Sequence, residues 1–328
     1  MSGREEPVVS VIMPVYNSEK YLAEAVNSVC RQTVHNIQII LIDDCSEDRS
    51  FEFCTKLALR DKRIEVYRHD KNRGVSAARN SGLSYAVGKY ILFMDSDDRI
   101  DDDMLELLIS LMEENPHTDL AVCGYYIDDK PQIRLCERKR RMGRLEAAKA
   151  VAGKNGSLMK GYVVNKLFKR EMIIRENLKF DENTYICEDL LFCQQYIWNC
   201  QYVCYTPEPK YHYITHAGSA MHGKVTEHRM SVLNTFNAVV QMGSKYENKE
   251  LDSLLNAGYW NHYVSILKDV VKYPSLEQKK YGDIVFPYIK MIVFKFLKSE
   301  HITFKRKVLI ILLRIGYPVW RMLPGSSR

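Results

Sequence analysis

The chain of 328 residues is 46% apolar and 27% charged, which excludes a disordered tail or a disulfide-stapled mini-protein and leaves material for a sizeable core. Its net charge of +6 is unevenly spread: residues 221–328 sum to +9 and residues 1–220 to −3, so the basic character belongs to the C-terminal third. Nine cysteines, an odd number at irregular spacing with no CxxC pair, point to reduced thiols in a cytoplasmic protein.

The N-terminal MSGREEPVVS runs from charged residues straight into a strand-length apolar run, without the apolar stretch of a signal peptide. Val8 to Val15 is β-branched and nearly continuous in apolar character, and Tyr16-Asn17-Ser18 breaks it before a helical pattern over 19–30. The next apolar run, Ile37 to Ile42, ends in Asp43-Asp44-Cys45-Ser46 and is followed by a helix over 50–60. The arrangement repeats with a strand at 64–67, a turn at 70–74, a helix at 76–86 and a strand at 90–94 that ends in Asp95-Ser96-Asp97-Asp98. A helix over 103–114 and a strand over 120–126 complete the series. Strands alternating with helices predict an α/β fold with a Rossmann-like, mostly parallel sheet covered on both faces. Beyond residue 130 the pattern loosens, with a turn at Lys154-Asn155-Gly156 and regular structure resuming near Val163. A helix is expected over 188–198 and a strand, interrupted by Pro207 and Pro209, over 202–213. From about His222 the chain reads as amphipathic helices, so the expected organisation is a catalytic domain over 1–220 and a helical, basic C-terminal region over 221–328.

Ligands of such a sheet sit outside the carboxyl ends of the strands, and here those ends carry Tyr16, Asp43-Asp44 and the Asp95–Asp98 acids. Three acids within four residues repel each other unless a cation or hydrogen-bond donors compensate. Hard divalent ions favour carboxylate and phosphate oxygens, so a metal–diphosphate site is the functional reading of Asp95 and Asp97. The structural alternative, an acidic helix start, suits Asp98 or Asp101.

Five segments, VSVIMPVYN (9–17), SVCRQT (28–33), IILIDDCS (39–46), NRGVSAARNSG (72–82) and YILFMDSDD (90–98), together resemble the glycosyltransferase family 2 catalytic domain of GT-A fold, of the bacterial cell-surface polysaccharide type. The resemblance runs in order over roughly residues 8 to 125. It implies an inverting, metal-dependent transfer of a sugar from a nucleotide-diphosphate donor, by default a UDP-sugar, to a glycan or lipid-linked saccharide. It places Pro14 and Tyr16 around the nucleotide base, Asp44 as an acceptor for that base, Asn72 and Arg79 along the nucleotide, Asp95 on the ribose and Asp97 on a Mg2+ or Mn2+ ion. In the second half, Cys187-Glu188-Asp189-Leu190 resembles the family's Glu-Asp pair at a helix start: Asp189 is the expected general base and Glu188 its orienting neighbour. Their alternative is a plain acidic helix N-terminus. Lys166, in NKLFKR (165–170), is expected to face donor or acceptor oxygens.

The resemblance departs after the last strand, where relatives carry arginines before a Gly-Ser pair and this chain has YHYITHAGS (211–219). His216, or His212, could then ligate the metal or bind phosphate. Residues 285–323 mix Lys and Arg with bulky apolar side chains but contain no spanning run. They predict a basic amphipathic segment lying on an anionic membrane surface, in a cytoplasmic protein peripheral to the inner face of the cell membrane. No nucleic-acid reader motif accompanies the basic residues, and no GxGxxG follows the first strand. The alternative to a transferase is a catalytically inactive sugar-nucleotide-binding protein, against which the retained Asp95, Asp97 and Glu188-Asp189 argue.

Overall fold

Strand β1 (Val9–Val15) is buried along its length apart from Pro14, as a β-branched run must be when it lies between two other strands. It pairs in parallel with β2 (Ile37–Asp43) on one side and β4 (Tyr90–Phe93) on the other, and β2 pairs in parallel with β3 (Ile64–Arg68). Parallel neighbours need crossovers, supplied by α1 (Leu22–Cys30), α2 (Ser50–Arg60) and α3 (Val75–Tyr85). Helix α3 lies close on β1: a Cβ added at Gly82 would stand 2.3 Å from Cγ2 of Ile12, so only glycine permits that approach. The computed structural model describes residues 6–132, 138–153, 159–216 and 224–322. The Lys154-Asn155-Gly156 turn, Cys136 and the Ala217-Gly218-Ser219 stretch lie outside these residues.

The chain continues through β5 (Arg99–Ile100), α4 (Met104–Glu113), β6 (Thr118–Ile127), β7 (Lys130–Pro131), β8 (Arg140–Gly143), α5 (Arg144–Val151), β9 (Lys166–Lys169), α6 (Arg170–Arg175), α7 (Glu188–Trp198) and β10 (Tyr202–Tyr213). The main path of the sheet runs β3-β2-β1-β4-β9-β6-β10-β5. β9 is antiparallel to both β4 and β6, so the sheet is parallel on one flank and mixed on the other. This four-residue strand carries Phe168 into a cluster with Phe93, Phe192 and Tyr196, in which Phe180 also stacks on Phe192 at 4.2 Å. β10 keeps its pairing with β6 in spite of two prolines because the register shifts at them. Gly124 leaves room for the displaced carbonyl of Pro207.

The described chain divides into two units. The α/β unit comprises residues 1–182 and 188–215, and the helical unit comprises 183–187 and 216–328. The division thus falls after Thr215 rather than at 220, and a five-residue segment ahead of α7 goes with the helices. The helical unit is built from α8 (Glu227–Met230), α9 (Val232–Ser244), α10 (Lys249–Lys272), α11 (Leu276–Lys298) and α12 (Phe304–Met322). Thr226, Asn248 and Ser275 cap α8, α10 and α11 through side-chain oxygens that accept backbone N–H groups. The buried amide of Gln278 donates to the Val225 carbonyl and accepts from its N–H. Tyr317 seats α12 on α11 over Gly282 and donates to Asp283. The basic segment expected over 285–323 is therefore two helices. Among the described residues no helix is long and apolar enough to cross a membrane.

Candidate active site

The loops that follow the parallel strands are tied to one another at the rim of the α/β unit. Asn17 and Cys45 both take left-handed backbone angles, φ 50° and 61°, which turn the chain sharply as it leaves β1 and β2. The Asn17 N–H donates to Ser46 Oγ at 3.1 Å, and Asn17 Oδ1 accepts from the Glu47 N–H at 2.9 Å. Ser18 and Ser96 share a hydroxyl–hydroxyl bond of 2.7 Å, linking the loop after β1 to the acids after β4. Tyr16 stands exposed at this rim beside half-buried Pro14.

Asp44 is nearly fully buried and has three hydrogen-bonding partners around it. The N–H groups of Arg73 and Gly74 donate to its carboxylate at 2.7–3.1 Å, and His69 Nδ1 meets Oδ1 at 2.6 Å. Gly74 sits at φ 86°, an angle that favours glycine and aims its N–H at the carboxylate. The Asp44 lone pairs thus shape the 69–74 loop, at which Asn72 is exposed. Asp43 is also buried, accepting from Ser46 and paired with Arg68 Nε at 3.1 Å.

Arg79 is the centre of the site. Only 3% of its side chain is exposed, yet Nη2 reaches Asp95 at 3.1 Å and Nη1 reaches Glu188 at 3.0 Å and Asp189 at 2.5 Å. The guanidinium lies over the Phe180 ring, 5.2 Å from its centroid. The resemblance places Arg79 along the nucleotide; in the structure its guanidinium faces three carboxylates. Burial works against its charge, but Asp189, Asp95 and Glu188 outweigh it and hold the guanidinium above its ordinary pKa. Burial, then the Asp189 charge, pushes Glu188 up to about 7 against the pull of Arg79. Burial also raises Asp189, whose Oδ2 accepts the Val163 N–H at 3.2 Å. One cation for three carboxylates leaves the cluster anionic, and two of the acids are held nearer neutrality than ordinary carboxyls.

Asp98 is not a helix cap. Tyr211 Oη donates to its Oδ2 at 2.5 Å and the Ile214 N–H to its Oδ1 at 2.8 Å, while the Asp95 N–H donates to the same Tyr211 hydroxyl. Burial and the Asp95 charge, with Asp97 adding to them, push Asp98 up to about 8. Lys166, too, departs from expectation. Its ammonium is fully buried and donates to the carbonyls of Met159, Lys160 and Tyr162 and to Asn165 Oδ1, at 2.6–2.9 Å. It holds the 159–165 segment and is not turned to donor or acceptor oxygens; burial lowers its pKa. His212 is held between Asp101 and Asp129 at 2.8 and 3.0 Å and stacks on Tyr126, which removes it as a metal ligand. His216 belongs to the helical unit.

Among the described residues no group of three or more His, Cys, Asp or Glu is arranged to hold a metal by itself. Asp95, Asp97 and Asp98 stand together after β4, and carboxylate oxygens suit Mg2+ where phosphate oxygens complete its coordination. Sequence reading gives no site role to Ser18, His69, Ser96 or Tyr211, although Ser96 stands inside the acidic motif and Tyr211 opens the 211–219 segment.

A family model described as "Glycosyl transferase family 2" matches residues 10–175, half of the chain. The uncharacterized glycosyltransferase EpsJ of Bacillus subtilis is 37% identical over 193 residues, covering 57% of this chain and 55% of EpsJ. The minor teichoic acid biosynthesis protein GgaB of the same organism is 33% identical over 208 residues, 62% of this chain and 22% of GgaB. The chain thus spans about half the length of EpsJ and less of GgaB. Among solved structures, residues 1–349 of Staphylococcus aureus TarS in complex with UDP-GlcNAc superpose with a TM-score of 0.71 at 20% identity, covering 95% of this chain and 89% of that one. This last likeness is one of fold.

Proposed function

The chain belongs to glycosyl transferase family 2, and on that premise we propose that it transfers a sugar from a nucleotide-diphosphate donor to a hydroxyl of a glycan or lipid-linked saccharide in cell-surface polysaccharide synthesis. Transfer inverts the anomeric carbon. UDP-sugars are the first donors to try, which the UDP-GlcNAc complex of the fold neighbour supports; GgaB, a teichoic acid biosynthesis protein, supports a surface-polymer acceptor.

The observation that carries the reading is the arrangement of Asp95, Glu188 and Asp189 around buried Arg79. Tyr16 offers its ring to the base, and Asp44 fixes the adjoining 69–74 loop from behind. Asp95, about one-third exposed, keeps an acceptor for a ribose hydroxyl. Asp189 takes the proton of the attacking hydroxyl as the acceptor oxygen bonds to the anomeric carbon and the bond to the diphosphate breaks. A carboxylate held above its ordinary pKa is a stronger base, and Arg79 and the Val163 N–H fix its orientation. Mg2+ or Mn2+, held by Asp97 and the donor's phosphate oxygens, would supply charge stabilisation to the leaving diphosphate.

The test is a panel of nucleotide sugars with Mn2+, read by calorimetry for donor binding and by mass spectrometry for the transferred product. Asp189→Asn should bind the donor as wild type does and lose turnover by more than about 100-fold. Equal turnover removes Asp189 from the role of base, and wild-type protein that transfers from no nucleotide sugar overturns the transferase reading.

A further inference from the structure

Helix α12 has two apolar faces. Ile310, Leu313 and Tyr317 are buried within the helical unit. Phe304, Val308, Ile311, Leu312, Ile315, Val319 and Met322 are exposed, Phe304 and Met322 by about four-fifths of their surface. At 3.6 residues per turn these seven fall within an arc of about 100°, opposite the packed face. Surface helices place charged residues on that side; this one places a continuous apolar stripe there.

The charges of α12 stand along the margins of the stripe and are of one sign. Residues 301–322 contain five Lys and Arg and no Asp or Glu. Two are engaged within the unit, Arg306 with Ser265 at 3.0 Å and Arg321 with Asp283. Lys305 borders one side of the stripe, Lys307 and Arg314 the other, and none of the three pairs with a carboxylate among the described residues. Arg314 reaches toward the exposed Phe294 ring of α11, 5.9 Å from its centroid, and Met291, one turn earlier, is also exposed. The stripe thus continues onto α11, where Lys290, Lys295 and Lys298 are exposed.

We propose that this face of α12, extended by Met291 and Phe294 of α11, lies on an anionic lipid surface, with its apolar stripe in the acyl–headgroup boundary and its lysines and Arg314 among the headgroups. Charge decides the occupant. A second copy of the chain would set Lys305, Lys307 and Arg314 against their own like charges with no carboxylate on the stripe to meet them. An anionic bilayer offers apolar depth and opposite charge together. The helix is not apolar enough to span, so it rests in the interface.

The experiment is co-sedimentation of the full chain with vesicles of phosphatidylcholine alone or mixed with phosphatidylglycerol, at low and high salt. The wild type should bind the anionic vesicles, bind neutral ones far less, and lose affinity as salt rises. A Leu312→Asp, Ile315→Asp variant should lose more than about tenfold in vesicle affinity while its circular dichroism melt stays unchanged, since both side chains are exposed. Lys305→Gln with Lys307→Gln and Arg314→Gln should lose binding in the same direction. Absence of binding to anionic vesicles, or variants that bind as the wild type does, overturns the proposal. So does a wild-type dimer that Ile315→Asp converts to monomer without vesicle binding, which would make the stripe a self-interface. None of these readouts depends on sugar transfer.

Discussion

The α/β unit and the helical unit break opposite rules of residue placement. Around Arg79 the α/β unit buries charge, drawing three carboxylates onto one guanidinium that water scarcely reaches. Along α12 the helical unit exposes apolar surface and keeps its lysines outside. Each departure costs stability relative to the ordinary arrangement: buried ions lose hydration, and exposed apolar stripes forgo burial. A fold retains such costs where something else is gained, and the two gains differ in kind. Buried charge gives fixed geometry and shifted pKa values, as a reaction requires; an exposed stripe gives an adhesive face, as a surface requires.

The largest effect should come from removing the cation that makes the first arrangement tolerable. Arg79→Ala leaves Asp95, Glu188 and Asp189 facing one another in a largely dry site, and breaking a buried ionic network from one side costs about 3–5 kcal/mol. Urea unfolding measures this directly. A loss below about 1 kcal/mol would show that the three acids are hydrated, and the contrast between the units would collapse to two ordinary surfaces.

A smaller effect separates a shifted carboxyl from a merely paired one. Glu188 binds its proton more tightly in the folded state, about 7, than at its ordinary value of 4.5. Its protonated form therefore favours folding, and that contribution is present in full below pH 4.5 and is lost as the pH rises through 7. The unfolding midpoint should fall by several degrees across this window. Glu188→Gln should flatten the fall in part, since Asp189 is shifted the same way. A profile identical to that of the wild type would place Glu188 in solvent.

The alternation of strand and helix over residues 9–127 is legible in the sequence because each element carries its own periodicity, and the acids at strand ends are legible because each sits on a local break. β9 is not: four residues with lysine at both ends have no readable period, and what holds them in the sheet is pairing with β4 and β6 and the aromatic cluster around Phe168, all contacts distant in sequence. The partners of Arg79 are 16, 109 and 110 residues away, so its motif shows that an arginine is needed but not what it faces. Lys166 misleads for a related reason. Lysine is almost never fully buried, and the carbonyls that receive it here have no side-chain signature. The basic amphipathic character of residues 285–323 is plain in the sequence, whereas which of the two apolar faces of α12 is packed depends on α10 and α11.

That last distinction gives the smallest effect and the cleanest comparison, because it lies within one helix. Leu312 and Ile310 are two residues apart, both aliphatic and both in the middle of α12, yet Leu312 is 61% exposed and Ile310 fully buried. Leu312→Ala removes contacts mostly with water and substitutes the best helix former, so unfolding in solution should shift by no more than about 0.5 kcal/mol. Ile310→Ala opens a cavity and should cost about 2–5 kcal/mol. If Leu312→Ala proves as damaging as Ile310→Ala, the outward stripe is already covered by protein in solution and is closed to lipid. If it is silent in solution but lowers the melting temperature when anionic vesicles are present, the stripe contributes only at a surface, and the apolar excess of the helical unit has found what covers it.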